Sequence, residues 1–95
     1  MKRKEEIKIM SPNKLVSWFL MASYIYYEQG RKIMKDTTFD YLTQRLKREW
    51  EKVNHPHKSL ITKSHLAAIT GYDIEYPTIV KSSALEYLRK PNESR

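Results

Sequence analysis

The chain has 95 residues, a net charge of +7 and no cysteine, which excludes disulfides and thiolate metal sites. This length is enough for one domain with a modest core. An apolar content of 40% with 12% aromatic residues predicts a folded protein, because disordered chains are poor in both. The basic charge favours an acidic partner such as a nucleic acid, and the lack of cysteine leads us to expect a cytoplasmic protein.

The N-terminal residues 1–10 are mostly charged, and we expect a flexible basic arm there. No apolar core of the kind found in a signal peptide follows Met1. The densest apolar run, residues 15–27, is shorter than the roughly 20 residues that a membrane span requires. We therefore expect a buried helix in this region and no membrane partner.

A first helix is predicted from Ser11 and Pro12, which suit the N-cap and the first helical position. Gly30 is expected to end this helix in the left-handed conformation. Apolar side chains surround most of the helix between these points, which is typical of a helix that is central in its fold or shared with a second subunit. A homodimer is therefore one expectation.

A second helix is predicted to begin with Asp36 as its cap, because apolar residues then recur every three or four positions. These residues are Phe39, Leu42, Leu46, Trp50 and Val53. Pro56 ends the pattern, since proline cannot continue a helix. The short connection over residues 30–35 predicts an antiparallel hairpin of two long helices.

The C-terminal part predicts two shorter helices. Ser64 is expected to cap one that runs through Thr70, and Pro77 to open another over residues 78–90. Pro91 then ends the fold and residues 92–95 form a polar tail. The predicted fold class is all-α, with the hairpin and these two helices forming a small helical bundle over residues 11–91 as a single domain.

Aromatic and acidic residues are regularly spaced across the hairpin connection: Tyr26, Tyr27, Asp36, Phe39, Asp40 and Leu42. Together with the His-Pro exit of the second helix, this hairpin resembles the N-terminal helical (Ia) domain of NAD-dependent DNA ligases over roughly residues 19–56. The resemblance implies that Tyr26, Tyr27 and Phe39 stack around nicotinamide. It also implies that Asp36 and Asp40 hold the polar or ribose groups, and NAD or nicotinamide mononucleotide would be the ligand.

The chain departs from the ligase pattern at three points. Phe39 stands where the family has tyrosine, and Arg31 and Lys32 replace the proline of the connecting loop. The Lys-x-Asp-Gly motif of the adenylation domain is absent, so no lysine nucleophile is available for an adenylyl intermediate. We therefore expect no enzyme, no catalytic residues and, because the three histidines lack a ligand spacing, no metal site.

Basic residues predict a second kind of surface. Arg45, Arg48 and Lys52 share one face of the second helix, since they are three and seven positions apart. Other cations of the N-terminal arm, the connection and the same helix extend this face: Lys2, Arg3, Lys4, Arg31, Lys32, Lys35 and Lys47. Such a surface binds phosphates without reading sequence, and no groove-reading motif is present, so RNA is favoured over a specific DNA site.

The leading prediction is thus a small non-enzymatic basic protein that binds RNA or another nucleic acid without sequence specificity. Two alternatives remain open. One is a nicotinamide-nucleotide-binding module, and the other is an inhibitor of a host enzyme that uses a surface around Trp18 and Tyr24 or the basic face. The small size, the charge and the partial ligase-like fold are similar to phage accessory proteins, which would act in the host cytoplasm.

Overall fold

The structure is a computed structural model that describes residues 2–71 and 73–89. Its α-helices are α1 (Lys4–Lys8), α2 (Pro12–Gln29), α3 (Asp36–Arg48), α4 (Lys63–Ala68) and α5 (Thr78–Arg89). Two single turns of 3-10 helix, Trp50–Lys52 and Lys58–Leu60, lie between α3 and α4. No β-strand occurs in the described ranges, so the all-α prediction is confirmed.

Both ends of α2 follow from local chemistry, as predicted. The Ser11 hydroxyl accepts a hydrogen bond from the Lys14 N–H at 3.4 Å, and Pro12 occupies the first helical position. Gly30 adopts φ 65° and its N–H donates to the Ile25 carbonyl. The left-handed conformation is open to glycine without steric cost, which is why the helix ends there.

The two long helices form an antiparallel hairpin. At its open end the Asn13 side chain, in the first turn of α2, exchanges two hydrogen bonds of 2.8 and 3.2 Å with the backbone of Asn54. Nearer the connection, Phe19 of α2 stacks on Phe39 of α3 with ring centroids 5.3 Å apart. Contacts at both levels fix the register of the hairpin.

The second helix is shorter than its apolar pattern predicts. Lys35 is its N-cap and Asp36 its first residue, so the expected capping role of Asp36 is wrong by one position. The regular helix ends at Arg48, and a tighter turn continues to Lys52 before Val53 becomes extended. The 3-10 turn still directs Val53 into the core, which explains why the apolar spacing persists beyond the α-helix.

Helix α2 is the centre of the fold, with α3 and α5 packed against it. Leu15, Val16, Phe19, Leu20 and Ile25 of this helix are completely buried. The expectation of a homodimer came from the wide apolar surface of α2. Within the described chain α5 covers part of that surface, because its Tyr87 meets Trp18 edge-to-face at 5.3 Å and its Ala84 is fully buried.

The N-terminal segment is docked onto the domain, so the expectation of a flexible arm over residues 1–10 is wrong for the described residues. Ile7 of α1 is completely buried, and the Lys2 N–H donates to the Ile33 carbonyl at 2.8 Å. The Arg45 side chain donates to the carbonyls of Ile7, Lys8 and Met10. One apolar anchor and one guanidinium that satisfies the end of α1 hold the segment in place.

Helix α4 is capped by Thr62 and not by Ser64 as predicted. The Thr62 hydroxyl accepts from the His65 N–H at 3.1 Å, while Nδ1 of His65 accepts from the Thr62 N–H at 3.0 Å. The predicted end of the last helix at residue 90, Pro91 and the tail over residues 92–95 lie outside the described residues. Among the described helices, none has the length and apolar content needed to cross a membrane.

Candidate ligand-binding site

A cavity of about 270 Å³ opens where α2 ends and α3 begins, and we call it the tip cavity. Its lining residues come from α2, the connection, α3 and the end of α4: Ala22, Ser23, Tyr26, Tyr27, Lys32, Ile33, Met34, Asp36, Phe39 and Ile69. Small-molecule sites typically measure roughly 300–1,000 Å³. The tip cavity therefore suits a compact ligand.

Two adjacent tyrosines form one wall of the tip cavity. Tyr26 and Tyr27 remain 49% and 42% exposed, while most large apolar side chains of the described chain are buried. Their rings meet edge-to-face, with centroids 4.8 Å apart and planes at 81°. The Tyr27 hydroxyl is hydrogen-bonded to the Thr70 hydroxyl, which fixes this ring before any ligand binds. The wall thus offers preoriented aromatic surface to a planar group.

Phe39 provides the aromatic floor of the tip cavity. Its ring is half-buried and stacks on Phe19 at an interplanar angle of 22°. Phe39 therefore contacts the core and also lines the cavity. Its stacking partner is Phe19, while Tyr26 pairs with Tyr27.

An ion pair stands at the exposed edge of the tip cavity. The Lys32 Nζ lies 3.0 Å from the Asp36 Oδ1, with the two side chains 46% and 84% exposed. The same ammonium lies 6.0 Å from the centroid of the Tyr26 ring. The hydrogen bond to Asp36, and then its charge, raise the pKa of Lys32, because both favour the protonated amine. A full positive charge is therefore kept beside the aromatic wall.

Ser23 lines the tip cavity and was missed by sequence reasoning, as was its close contact with the loop after α4. Ser23 is 2% exposed, and its hydroxyl has no hydrogen-bond partner among the described residues. A Cβ on Gly71 would lie 2.3 Å from this oxygen, so only glycine permits the approach. The nearby Tyr76 hydroxyl donates to the Gly71 carbonyl at 2.7 Å. Gly71 offers one sequence signal for this contact, because glycine permits a close approach that a Cβ would block.

Burial strongly raises the pKa of Tyr76, since the ionised phenol would lose its hydration in this buried position. The neighbouring Ser23 hydroxyl opposes the rise, although it lies outside the geometry of a regular hydrogen bond. Tyr76 therefore stays a neutral donor to the backbone and helps to hold the loop after α4 against α2.

The tip cavity brings together four of the five residues predicted to contact nicotinamide. Tyr26, Tyr27, Asp36 and Phe39 all line it. Asp40 lies one turn further along α3, is exposed and does not line the cavity. Lys32 lines the cavity, although the ligase pattern assigns it no role there.

The structure differs most from the predicted nucleic-acid surface at Arg45. This side chain is 9% exposed, and its Nη1 donates to three backbone carbonyls at 2.9, 3.1 and 3.2 Å. Its Nη2 also pairs with Glu49 at 3.3 Å. Arg45 has no exposed donor set left for phosphate, so its assignment to an open basic face is wrong. Lys47, Arg48 and Lys52 remain exposed, and Lys52 pairs with Glu49 at 3.7 Å.

Two N-terminal lysines of the predicted surface lie over aromatic rings. The Lys2 ammonium is 4.1 Å from the centroid of Trp18 and pairs with Glu6 at 3.7 Å. The Lys4 ammonium is 4.8 Å from the ring of Tyr41. Arg3 at the start of α1 and the connection residues Arg31 and Lys35 are exposed. Most cations of the predicted surface are thus solvated, whereas Lys2 is partly buried against Trp18 and Arg45 is buried.

Tyr24 is buried against Tyr76, with ring centroids 5.5 Å apart. It is therefore unable to stack on a base or to form an exposed surface with Trp18. This position corrects the inhibitor surface predicted around Trp18 and Tyr24, because the side of α2 that carries Tyr24 faces the loop before α5.

A Ser–His contact at the open end of the hairpin lacks the geometry of a nucleophile. The Ser17 hydroxyl lies 3.2 Å from Nε2 of His55, while Nδ1 of His55 accepts from the His57 N–H at 3.0 Å. In the neutral ring Nε2 therefore carries the proton and donates to Ser17, so it does not act as a base toward that hydroxyl. Burial, and then the neighbouring His57, lower the pKa of His55 and keep the ring neutral.

Comparison of the chain with known protein families, with curated proteins and with solved structures finds no match. In the part of the chain that the structure describes, no group of three histidine or carboxylate side chains is arranged as a metal site. The tip cavity is the site at which sequence pattern and three-dimensional arrangement coincide.

Proposed function

We propose that this protein is a binding module for nicotinamide mononucleotide, held in the tip cavity. One observation carries the proposal: Tyr26, Tyr27 and Phe39 line a single cavity that has the Asp36 carboxylate at its edge. The similarity of the hairpin sequence to the ligase Ia domain points to the same ligand.

The chemistry of the cavity matches that of a pyridinium ring. Such a ring is flat and carries a positive charge, so it is attracted to aromatic faces by roughly 0.5–2 kcal/mol. The Asp36 carboxylate offers the opposite charge beside Tyr26, with the first turn of α3 behind it. Aromatic surface gives affinity for the ring, and the carboxylate gives preference for its cationic form.

The size of the cavity favours the mononucleotide over the intact dinucleotide. A volume of about 270 Å³ accommodates a ring with its sugar, while a second nucleotide would extend into solvent. The adenylate half of NAD would thus add little binding energy, and we expect NAD to bind no more tightly than nicotinamide mononucleotide.

Thermal unfolding with added nicotinamide mononucleotide tests the proposal. At a ligand concentration ten times the Kd, binding stabilises the fold by about 1.4 kcal/mol, which raises the Tm of a domain of this size by roughly 6–10 °C. Asp36→Asn should remove most of the shift because it removes the charge that faces the ring. Glu51→Gln, at an exposed carboxylate beyond the end of α3, is the matched control. No shift with millimolar ligand for the unaltered protein would refute the proposal.

Binding of single-stranded RNA without sequence specificity is the second candidate function. What favours it is the net charge of +7 together with exposed cations on the connection and on α3. These are Arg31, Lys35, Lys47 and Arg48. Arg45 takes no part in this candidate because its donors are used within the fold.

Salt dependence tests the second candidate. For single strands, the logarithm of the binding constant falls with the logarithm of the salt concentration by about 0.7 per contacted phosphate. If four phosphates are contacted, affinity should fall roughly 50-fold between 50 and 200 mM salt. The double change Lys47→Glu and Arg48→Glu should weaken binding strongly. The double change Lys63→Glu and Lys81→Glu alters the net charge equally at exposed positions of α4 and α5 and serves as control. Equal losses for both pairs would show that only net charge matters and would contradict a defined surface.

A further inference from the structure

Lys32 occupies the place that the ligand's positive charge would take. Its ammonium is 3.0 Å from the Asp36 carboxylate and 6.0 Å from the centroid of Tyr26. These two groups are the ones that attract a pyridinium in the proposed function. In the structure, therefore, a resident cation already satisfies the carboxylate, and a cationic ring has to displace it.

The backbone next to Lys32 is anchored in the core, while the Lys32 side chain reaches into solvent. The next two residues of the connection, Ile33 and Met34, are 5% and 4% exposed and belong to the core. The Lys32 side chain itself is about half exposed and contacts one carboxylate. A lysine ammonium is a point charge on a flexible stem, so it can change partners without rearrangement of the chain.

A nucleotide that carries a cationic pyridinium ring and an anionic phosphate can exchange partners with this ion pair. Its pyridinium replaces the ammonium at Asp36, and its phosphate accepts the released ammonium of Lys32. Two ion pairs then replace one. A nucleoside lacks the phosphate, so its binding would leave the Lys32 ammonium without its carboxylate and with no new partner.

We propose that Lys32 is the phosphate-binding residue of the tip cavity, and that this exchange of ion pairs selects the phosphorylated mononucleotide over the nucleoside. The inference rests on the proposed function, because it assumes that a nicotinamide ring binds between Asp36 and the tyrosines. It adds a specificity that the aromatic wall alone does not provide, since the ring is the same in both ligands.

Calorimetric titration of nicotinamide mononucleotide and of nicotinamide riboside into the full chain tests the inference. The unaltered protein should bind the mononucleotide at least tenfold more tightly, the worth of one hydrogen bond between charged groups. Lys32→Met should reduce the ratio to within about threefold, with tighter binding of the riboside because its competitor is gone. Lys32→Arg should keep the preference, and so should Lys14→Met, which removes an exposed lysine at the opposite end of α2.

Each other outcome is decisive. If Lys32→Met keeps the tenfold preference, or weakens both ligands equally, Lys32 does not bind the phosphate and the inference is overturned, while the ligand cavity stands. If neither the unaltered protein nor Lys32→Met binds either ligand at millimolar concentration, the proposed function itself fails. Circular dichroism of each variant confirms that the fold is retained before the titrations are compared.

Discussion

Arg45 and Lys32 each pair with a carboxylate four residues further along the chain, Glu49 and Asp36 respectively, yet their surroundings differ completely. The guanidinium of Arg45 is buried and also donates to three carbonyls at the end of the N-terminal segment. The ammonium of Lys32 is half exposed beside a cavity. The same sequence spacing thus produces a buried cation whose donors are used within the fold in one place and a half-exposed cation with one ion pair in the other.

The difference shows how a basic residue should be judged as a binding group. A basic side chain can bind a ligand only with donors that the fold does not already use. Its charge, or its position on one face of a helix, does not show whether such donors remain. Arg45 keeps its three carbonyl contacts only while residues 7–10 stay docked, so its guanidinium stabilises the docked segment. Lys32 contacts a single exposed carboxylate, so its charge remains available to an anion.

The largest expected effect is that of Arg45→Met. Methionine keeps part of the apolar stem but removes the guanidinium hydrogen bonds to three carbonyls and to Glu49, which keeps only its longer contact with Lys52. Loss of a buried charged partner costs about 3–5 kcal/mol where nothing replaces it, and we expect about 3 kcal/mol because water can reach some of these carbonyls. Urea denaturation followed by circular dichroism measures the change.

Arg48→Met is the control for this change, because Arg48 lies exposed on the same helix and should alter the free energy of unfolding by less than about 0.5 kcal/mol. Hydrogen exchange gives an independent readout. Arg45→Met should increase exchange at the amides of residues 4–10, since α1 loses the side chain that holds its end. Equal destabilisation by the two variants would mean that Arg45 does not dock the N-terminal segment.

The smallest expected effect on stability is that of Lys32→Met. The Lys32–Asp36 pair is exposed, and exposed pairs contribute little because water screens both charges. We expect no measurable change in Tm without ligand, although ligand preference changes. A clear loss of Tm in the absence of ligand would place Lys32 with Arg45 among the structural cations and would weaken the contrast between them.

Sequence reasoning located the helices best where their ends depend on neighbouring residues. Ser11, Pro12 and Gly30 set the bounds of α2 through contacts within one turn. The cap of α4 was misplaced by two residues because Thr62 and Ser64 are chemically alike, and the reciprocal bond with His65 decides between them. The N-terminal segment was predicted to be flexible because most of its residues are charged, but its one buried side chain, Ile7, is enough to dock it.

The sequence also predicted some of the residues that line the candidate site. The spacing that resembles the ligase hairpin identified Tyr26, Tyr27, Asp36 and Phe39, which the fold does bring into one cavity. The same spacing also selected Asp40, which lies outside the lining. Ser23 and Ile69 escaped notice because no sequence pattern connects α2 with the end of α4.

By itself, the sequence determined an all-α chain with a long central helix, a hairpin and a cluster of aromatic and acidic residues at its tip. These features depend on capping groups, on the 3.6-residue period and on residues close in the chain. Only the tertiary structure decided which cations are free, which tyrosines are exposed and where the cavity lies. Those properties depend on contacts between segments far apart in sequence, and no local sequence pattern predicts such contacts. Examples are Arg45 with residues 7–10 and Ser23 with Gly71.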